Sequence, residues 1–434
     1  MKKLALVALL LAIPAMAQAK TLEDLLVEKG VISANEARAT ADAGNAKVYW
    51  NDGTRLEFPD NGFTTKINTE LKTSYAFTKA DKALRKAGWG TGNKSSFGVD
   101  QARMTLSGTA LNQEFSYKIQ ADFASQKEWQ GRDEATIEDA YIQWEPCEGM
   151  GARLGQFKTG LSRQYNTEDY ALQIPVRSAV SNTMDWGRQG GIRAFYSDVD
   201  GLFSVYGSMY NGLSDGEKDR IDGDGEDHFG TDTRHAFDVS ARANVLGKMN
   251  PYEEGDIDFT EDLAVNVGAT YGYSKAKNVF DLGELEFDMK NKYHAVSADV
   301  NVKYQGFSFN AEYFWTRAKY EYLDKVDPKG FYAQAGYFFT PEFEVAARYS
   351  YMDCDNAFGG MCDFSNAKYI TGVIGVDDMN EAAISLNYYF WKRNLKAQVA
   401  YIFRNQDVAA DAESILDDDD VNTNIWMFQL SAYL

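Results

Sequence analysis

The last ten residues, Ile425 to Leu434, alternate with period two. Trp426, Phe428, Leu430, Ala432 and Leu434 share one face; Met427, Gln429, Ser431 and Tyr433 share the other. An apolar strand with two free edges is an aggregation template in water. It is stable where lipid covers its apolar face and neighbouring strands pair both edges. Together these conditions define the last strand of a closed transmembrane β-barrel, and the rest of the chain is read as the other strands.

The start of the chain agrees. Lys2 and Lys3 precede a short apolar run, Leu4 to Ala12, Pro14 breaks it, and Ala17-Gln18-Ala19 fits a cleavage site before Lys20. Residues 1–19 are predicted to be a removed secretory signal. After it no apolar run approaches the ~18 residues that a spanning helix requires. The aromatic count is high, 26 Tyr, 26 Phe and 8 Trp against 7 Pro, as the two interfacial girdles of a barrel demand. The formal net charge of −20 becomes more negative when Lys2 and Lys3 leave, which excludes a nucleic-acid partner. Much of the acid falls in loop-like stretches, Asp222 to Asp232 and Asp417 to Asp420.

Residues 20–58 are expected to form a periplasmic N-terminal arm: a short helix from Thr21 to Lys29, a second from Ser33, and a small hairpin from Val48 to Phe58 around Asn51-Asp52-Gly53. The barrel domain is assigned to 59–434. In its first strand Phe63, Thr65, Ile67, Thr69, Leu71, Thr73, Tyr75 and Phe77 face lipid, while Thr64, Lys66, Asn68, Glu70, Lys72 and Ser74 face the lumen. Further strands are predicted near 97–109, 115–123, 136–144, 152–157, 190–197, 202–210, 235–246, 262–274, 291–304, 307–318, 330–340, 342–352, 379–391, 394–405 and 423–434. That makes an all-β, sixteen-stranded antiparallel barrel with both termini on one side. Connections alternate short and long, as periplasmic turns and external loops do; the turn at 247–261 is too long for the pattern. The fold is one barrel, with no linker dividing it.

Several segments, Gln101-Ala-Arg-Met-Thr-Leu-Ser-Gly108, Phe115-Ser-Tyr-Lys-Ile-Gln-Ala-Asp-Phe123, Glu138-Asp-Ala-Tyr-Ile142, Arg153-Leu-Gly-Gln-Phe-Lys158, Gly330-Phe-Tyr-Ala-Gln-Ala-Gly-Tyr337 and Ala347-Arg-Tyr-Ser-Tyr351, occur in an order that resembles the bacterial outer-membrane phosphate-selective porin O/P family. The resemblance implies a trimeric channel in the outer membrane whose long third loop, here 158–189, folds into the lumen. It also implies passive diffusion of small hydrophilic solutes, anions such as phosphate foremost.

Strand phase places Lys66, Lys72, Arg103, Lys118, Arg193, Arg242, Lys303, Arg348, Lys396 and Arg404 on the lumen face, and the third loop adds Arg163, Arg177 and Arg188. Guanidinium groups suit oxyanions because their planar fork donates two hydrogen bonds. The same cations could instead pair with the lumen acids Glu70, Asp122, Asp139, Asp238, Asp299 and Glu312. The acidic loops leave open a non-selective or cation-preferring pore. In the third loop Leu172, Ile174 and Val176 are expected to pack against the wall. Cys354 and Cys362 have the spacing of a loop-closing disulfide in an exported protein, with Cys147 left free. Asp222-Gly-Asp224-Gly-Glu226 starts like a calcium loop but lacks the closing Glu, position 233 being Thr. His228, His235 and His294 show no metal-ligand spacing and no nucleophile–base pattern. Neither a cofactor nor a catalytic residue is expected. The expected partners are outer-membrane lipid, small solutes or anions, and further copies of the chain as a homotrimer.

Overall fold

The computed structural model describes residues 47–58, 62–79, 93–111, 113–124, 135–211, 235–281, 286–321, 325–354, 376–408 and 420–434, with Lys29 and Ser33; from 276 to 289 and at 320, 376 and 408 only the backbone is described. The predicted signal, both predicted helices, the Asp222 loop and Cys362 therefore lie outside the described residues, apart from Lys29 and Ser33.

Sixteen antiparallel strands close into a barrel. They are β3 (Phe63–Lys79), β4 (Lys94–Ala110), β5 (Phe115–Asp122), β6 (Thr136–Cys147), β7 (Met150–Lys158), β8 (Arg188–Ser197), β9 (Phe203–Tyr210), β10 (Ala236–Leu246), β11 (Ala264–Asp281), β12 (Glu286–Tyr304), β13 (Phe307–Tyr320), β14 (Lys329–Thr340), β15 (Phe343–Asp353), β16 (Val376–Trp391), β17 (Leu395–Val408) and β18 (Asp420–Tyr433). Each pairs with the next, and β18 closes on β3 in the register Asn424↔Lys79 to Tyr433↔Glu70. Thr69 and Leu434 complete the seam by exchanging backbone hydrogen bonds of 2.6 and 2.8 Å. The sequence places the strands correctly but stops several short at the long-loop end. β11 runs on to Asp281, and Asp420, expected in an acidic loop, opens β18.

Two further strands form the hairpin read from Asn51-Asp52-Gly53. They are β1 (Lys47–Trp50) and β2 (Thr54–Phe58), joined through positive φ at Asp52 and Gly53. β2 pairs with β3 from Thr54↔Ile67 to Phe58↔Phe63, along the edge that β18 uses higher up. Trp50 stacks on Trp391 at 6.2 Å, and Arg393 reaches Asp52 at 3.4 Å.

Burial is inverted relative to a water-soluble protein. Asn266, Asn301, Asn310, Ser274, Ser297 and Gln334 are buried, whereas Ile142, Leu154, Val239, Leu386, Phe428 and Leu430 lie exposed on the outer wall. Lipid supplies the missing contact for the second set; of the first, Asn266, Asn301, Asn310 and Gln334 hydrogen-bond within the lumen.

The long turn at 247–263 departs from expectation in an informative way. It does not hang below the barrel but folds up into the lumen, burying Glu253, Glu254 and Asp256. Asp256 holds it there by accepting from Thr260 N (3.0 Å) and Gly306 N (2.7 Å), and Ile257 packs with Phe338, Tyr389 and Phe259.

Cys354 is disulfide-bonded and Cys147 is free and exposed. Thiol labelling of unreduced, denatured protein is expected to count one reactive cysteine; a count of three rejects the bridge.

Candidate functional site

The third loop, 159–187, crosses the lumen. It carries two short helices, α1 (Arg163–Asn166) and α2 (Ala179–Met184), and one 3-10 turn (Asp169–Ala171). Ser162 and Ser178 cap the helices, accepting from Tyr165 N and Ser181 N. Asp185 ties the two ends of the loop together, accepting from Ser162 N (2.9 Å) and Gly187 N (2.6 Å). Burial pushes its carboxyl up to about 7 against those two N–H groups.

Apolar packing seats the loop. Ile174 sits fully buried against Ala346, Ala383, Ile402 and Ile425, with Val176 beside it. Wall glycines make room: a Cβ on Gly272 would stand 2.7 Å from the Trp186 ring, and one on Gly336 only 1.9 Å from Gln173 Nε2. Polar contacts then fix the position. Gln173 Nε2 donates to Ser308 Oγ (2.8 Å) and Glu344 (2.5 Å), and Lys396 donates to Leu172 O (2.5 Å).

Arg163, expected near the water path, is enclosed. Its guanidinium donates to Tyr332 OH (2.5 Å) and Pro251 O (3.1 Å) and lies 3.7 Å from Glu254. Glu254 also accepts from Gln164 (2.9 Å), Gln173 N (2.9 Å) and Gln334 (2.8 Å). Glu312 takes the N–H groups of Arg163 (2.6 Å) and Gln164 (3.2 Å). The upward turn, the third loop and the wall meet here.

The opposite side of the loop is a charge cluster. Lys72, Arg103, Lys118, Lys158, Arg177 and Arg188 surround Glu70, Asp122, Glu138, Asp139, Glu168 and Asp169. Arg103 is 2.9 Å from Asp169, 3.4 Å from Glu70 and 3.6 Å from Asp122. Arg177 is 2.5 Å from Asp169, and Lys72 donates to Asp169 O at 3.0 Å. Lys118 meets Asp139 at 2.7 Å, as does Arg188, which also pairs with Glu138. Glu168 lies between Lys118 (3.4 Å) and Lys158 (3.5 Å). Its side chain keeps 29 % of its surface exposed, against 18 % for Lys118 and 14 % for Arg177. Burial raises the Glu168 carboxyl, but Lys158 and Lys118 outweigh it and hold the group down to about 2. For Asp169 burial is likewise overcome by Arg177, Lys72 and Arg103, which keep it well below the carboxylate range.

The remaining candidates are dispersed. Arg193 donates to Ser208, Tyr210 OH and Lys158 O and lies over the Tyr206 ring at 4.1 Å. Arg242 grips Asp299 with two 2.7 Å bonds. Arg348 and Arg404 share Glu381. Lys303 is buried and Lys66 stands near the short-turn rim, opposite Arg55. Sequence reasoning missed Lys158, Glu168 and Glu254. Lys158 was legible as the last residue of Arg153-Leu-Gly-Gln-Phe-Lys158, but neither acid had a local signal of its role.

Removing one partner of a buried charge pair strands the other, at about 3–5 kcal/mol. Arg163→Gln is therefore expected to lower the unfolding temperature and speed proteolysis of the third loop, and adding Glu254→Gln is expected to recover part of the loss. A variant as stable as the parent would remove Arg163 from this role.

Among solved structures, the anion-selective porin from Comamonas acidovorans shares the fold (11 % identity, TM-score 0.54, covering 86 % of this chain and 100 % of that one). So do OprB of Pseudomonas putida (12 %, 0.53, 85 % and 94 %) and the trimer form of OmpT from Vibrio cholerae (11 %, 0.52, 86 % and 99 %). At such identities they speak for the fold alone. No curated protein sequence matches the chain. The family model of the phosphate-selective porins O and P matches residues 69–431, most of the barrel and its lumen-crossing loop, so the chain belongs to that family and is an outer-membrane porin.

Proposed function

We propose that this porin passes small hydrophilic anions, of which phosphate is the family's type, through the lumen past Lys118, Arg177 and Glu168, without catalysis. The observation that carries the reading is the position of Glu168. Its carboxylate is itself an oxyanion, held between two lysines with part of its surface in water. The cluster thus has the chemistry to take a permeating oxyanion, and Glu168 is its tethered competitor. In a narrow, poorly polarisable lumen fixed charges act more strongly than on an open surface, and beyond a Debye length of roughly 8 Å at physiological salt the external acids are screened. The family's name points the same way.

The alternative is a non-selective or cation-preferring general porin. It is favoured by the balance of the cluster, where every cation has a carboxylate within reach. Reversal potential in a salt gradient across a planar bilayer separates the two. Under the anion reading the parent protein prefers anions, Glu168→Gln strengthens that preference, and Lys118→Gln with Arg177→Gln weakens it. Cation preference in the parent, unaffected by Glu168→Gln, would reject it.

The mature protein is further proposed to begin at Lys20, with 20–58 as a periplasmic arm, and to assemble as a homotrimer. The signal pattern and the trimer form of a structural relative support this. Native mass spectrometry of protein extracted in mild detergent is expected to show three chains, each lacking residues 1–19; a monomer, or a chain retaining Met1, counts against the corresponding part.

A further inference from the structure

The outer wall carries a second charged feature, independent of the lumen. Lys275, Lys292 and Lys319 are direct cross-strand neighbours, Lys275↔Lys292 from β11 to β12 and Lys292↔Lys319 from β12 to β13. All three are exposed. They point outward: Ser274, Asn291 and Ala318, the adjacent residues, are buried on the lumen side. Like charges placed directly opposite each other in a sheet repel, and the row stands on a chain where acids outnumber bases 64 to 44. None of the three forms an ion pair among the described residues. Among the described side chains, Asp327 pairs with Arg317 and Lys325, and Glu321 with Lys290.

Height on the wall identifies what faces the row. The lysines lie near residue twelve from the short-turn ends of β11, β12 and β13, roughly 30 Å up at ~3.3 Å per residue and a tilt of about 40°. That is just beyond an apolar band about 25 Å tall. Beneath them runs a belt of Tyr271, Tyr273, His294 and Trp315, in which Tyr271 OH meets His294 Nδ1 at 2.9 Å. Such amphipathic rings mark the level where acyl chains give way to headgroups.

We propose that Lys275, Lys292 and Lys319 form a docking site for the phosphate of an outer-leaflet lipid headgroup, with the aromatic belt below packing on its acyl chains. Strands about 4.8 Å apart bring the three ammonium groups round one phosphate, whose negative charge relieves their mutual repulsion. Surface lysines attract anionic headgroups in this way. The site faces away from the pore and holds whether or not the lumen selects anions.

The test is a titration of full-length protein in mild detergent with lipid A, a glucosamine lipid carrying two phosphates, followed by native mass spectrometry. The same lipid with its phosphates removed, and inorganic phosphate as competitor, are the other arms. The parent is expected to bind lipid A and to discriminate against the dephosphorylated form. Lys275→Gln/Lys292→Gln/Lys319→Gln is expected to bind about tenfold more weakly or worse, with single-channel conductance unchanged. Lys292→Gln alone, at the centre of the row, is the check should the triple variant fold poorly, and is expected to weaken binding several-fold. Equal affinity of the variants and the parent, or equal affinity for both lipids, overturns the proposal. Displacement of lipid A by millimolar inorganic phosphate overturns the lipid assignment in favour of a free anion.

Discussion

The lumen of this barrel is organised around one buried cation. Arg163 has no exposed side-chain surface and links Glu254 of the upward turn, Tyr332 of the wall and the backbone of Pro251. A guanidinium in such a place is costly unless its donors are met; both terminal nitrogens find partners, Nε finds none among the described residues, and the residue ties together two insertions that enter from opposite ends. The loop is thereby bonded both to the barrel wall and to the upward turn.

That rigidity gives the charge cluster on the loop's other side its meaning. Arg103, Arg177 and Lys72 converge on Asp169, which turns the carboxylate into a pin between loop and wall. Glu168, next in sequence, is the looser of the two acids and the more exposed. Neighbouring acids thus divide the work: one anchors the loop, the other keeps part of its surface in water. A count of basic residues along the lumen would overstate the positive field here, because the acids on the loop and on β3, β5 and β6 offset it.

The strands were legible because lipid imposes a strict period: from Ile425 to Leu434 the outward face is wholly apolar while the inward one carries Gln429 and Ser431, and from Phe63 to Phe77 the charged residues fall on one face alone. Inward packing of the third loop was legible in Leu172, Ile174 and Val176. The division of its arginines was not. Arg163 and Arg177 look alike in sequence, yet one is entombed and the other keeps water contact. The difference arises from Glu254, far along the chain and in a segment that reads as an overlong turn. Nor did periodicity show why Gly330 and Gly336 occur in the segment Gly330 to Tyr337. Both lie under the loop, where side chains would strike Val180 and Gln173.

The seam has a consequence for how the barrel closes. β3 offers a single free edge to two strands, β2 at Phe63 to Ile67 and β18 from Glu70 upward. β2 is its neighbour in sequence and meets it through a short connection, whereas β18 arrives from the far end of the chain. Local contacts form before distant ones, so the lower stretch of the edge is filled when β18 comes to dock. The hairpin then acts as a mechanical stop. β18 cannot slide toward the periplasm without evicting it, and the Thr69–Leu434 exchange sets where the travel ends. A one-residue slip would turn Phe428 and Leu430 into the water and Gln429 into the lipid; the hairpin bars that error in one direction.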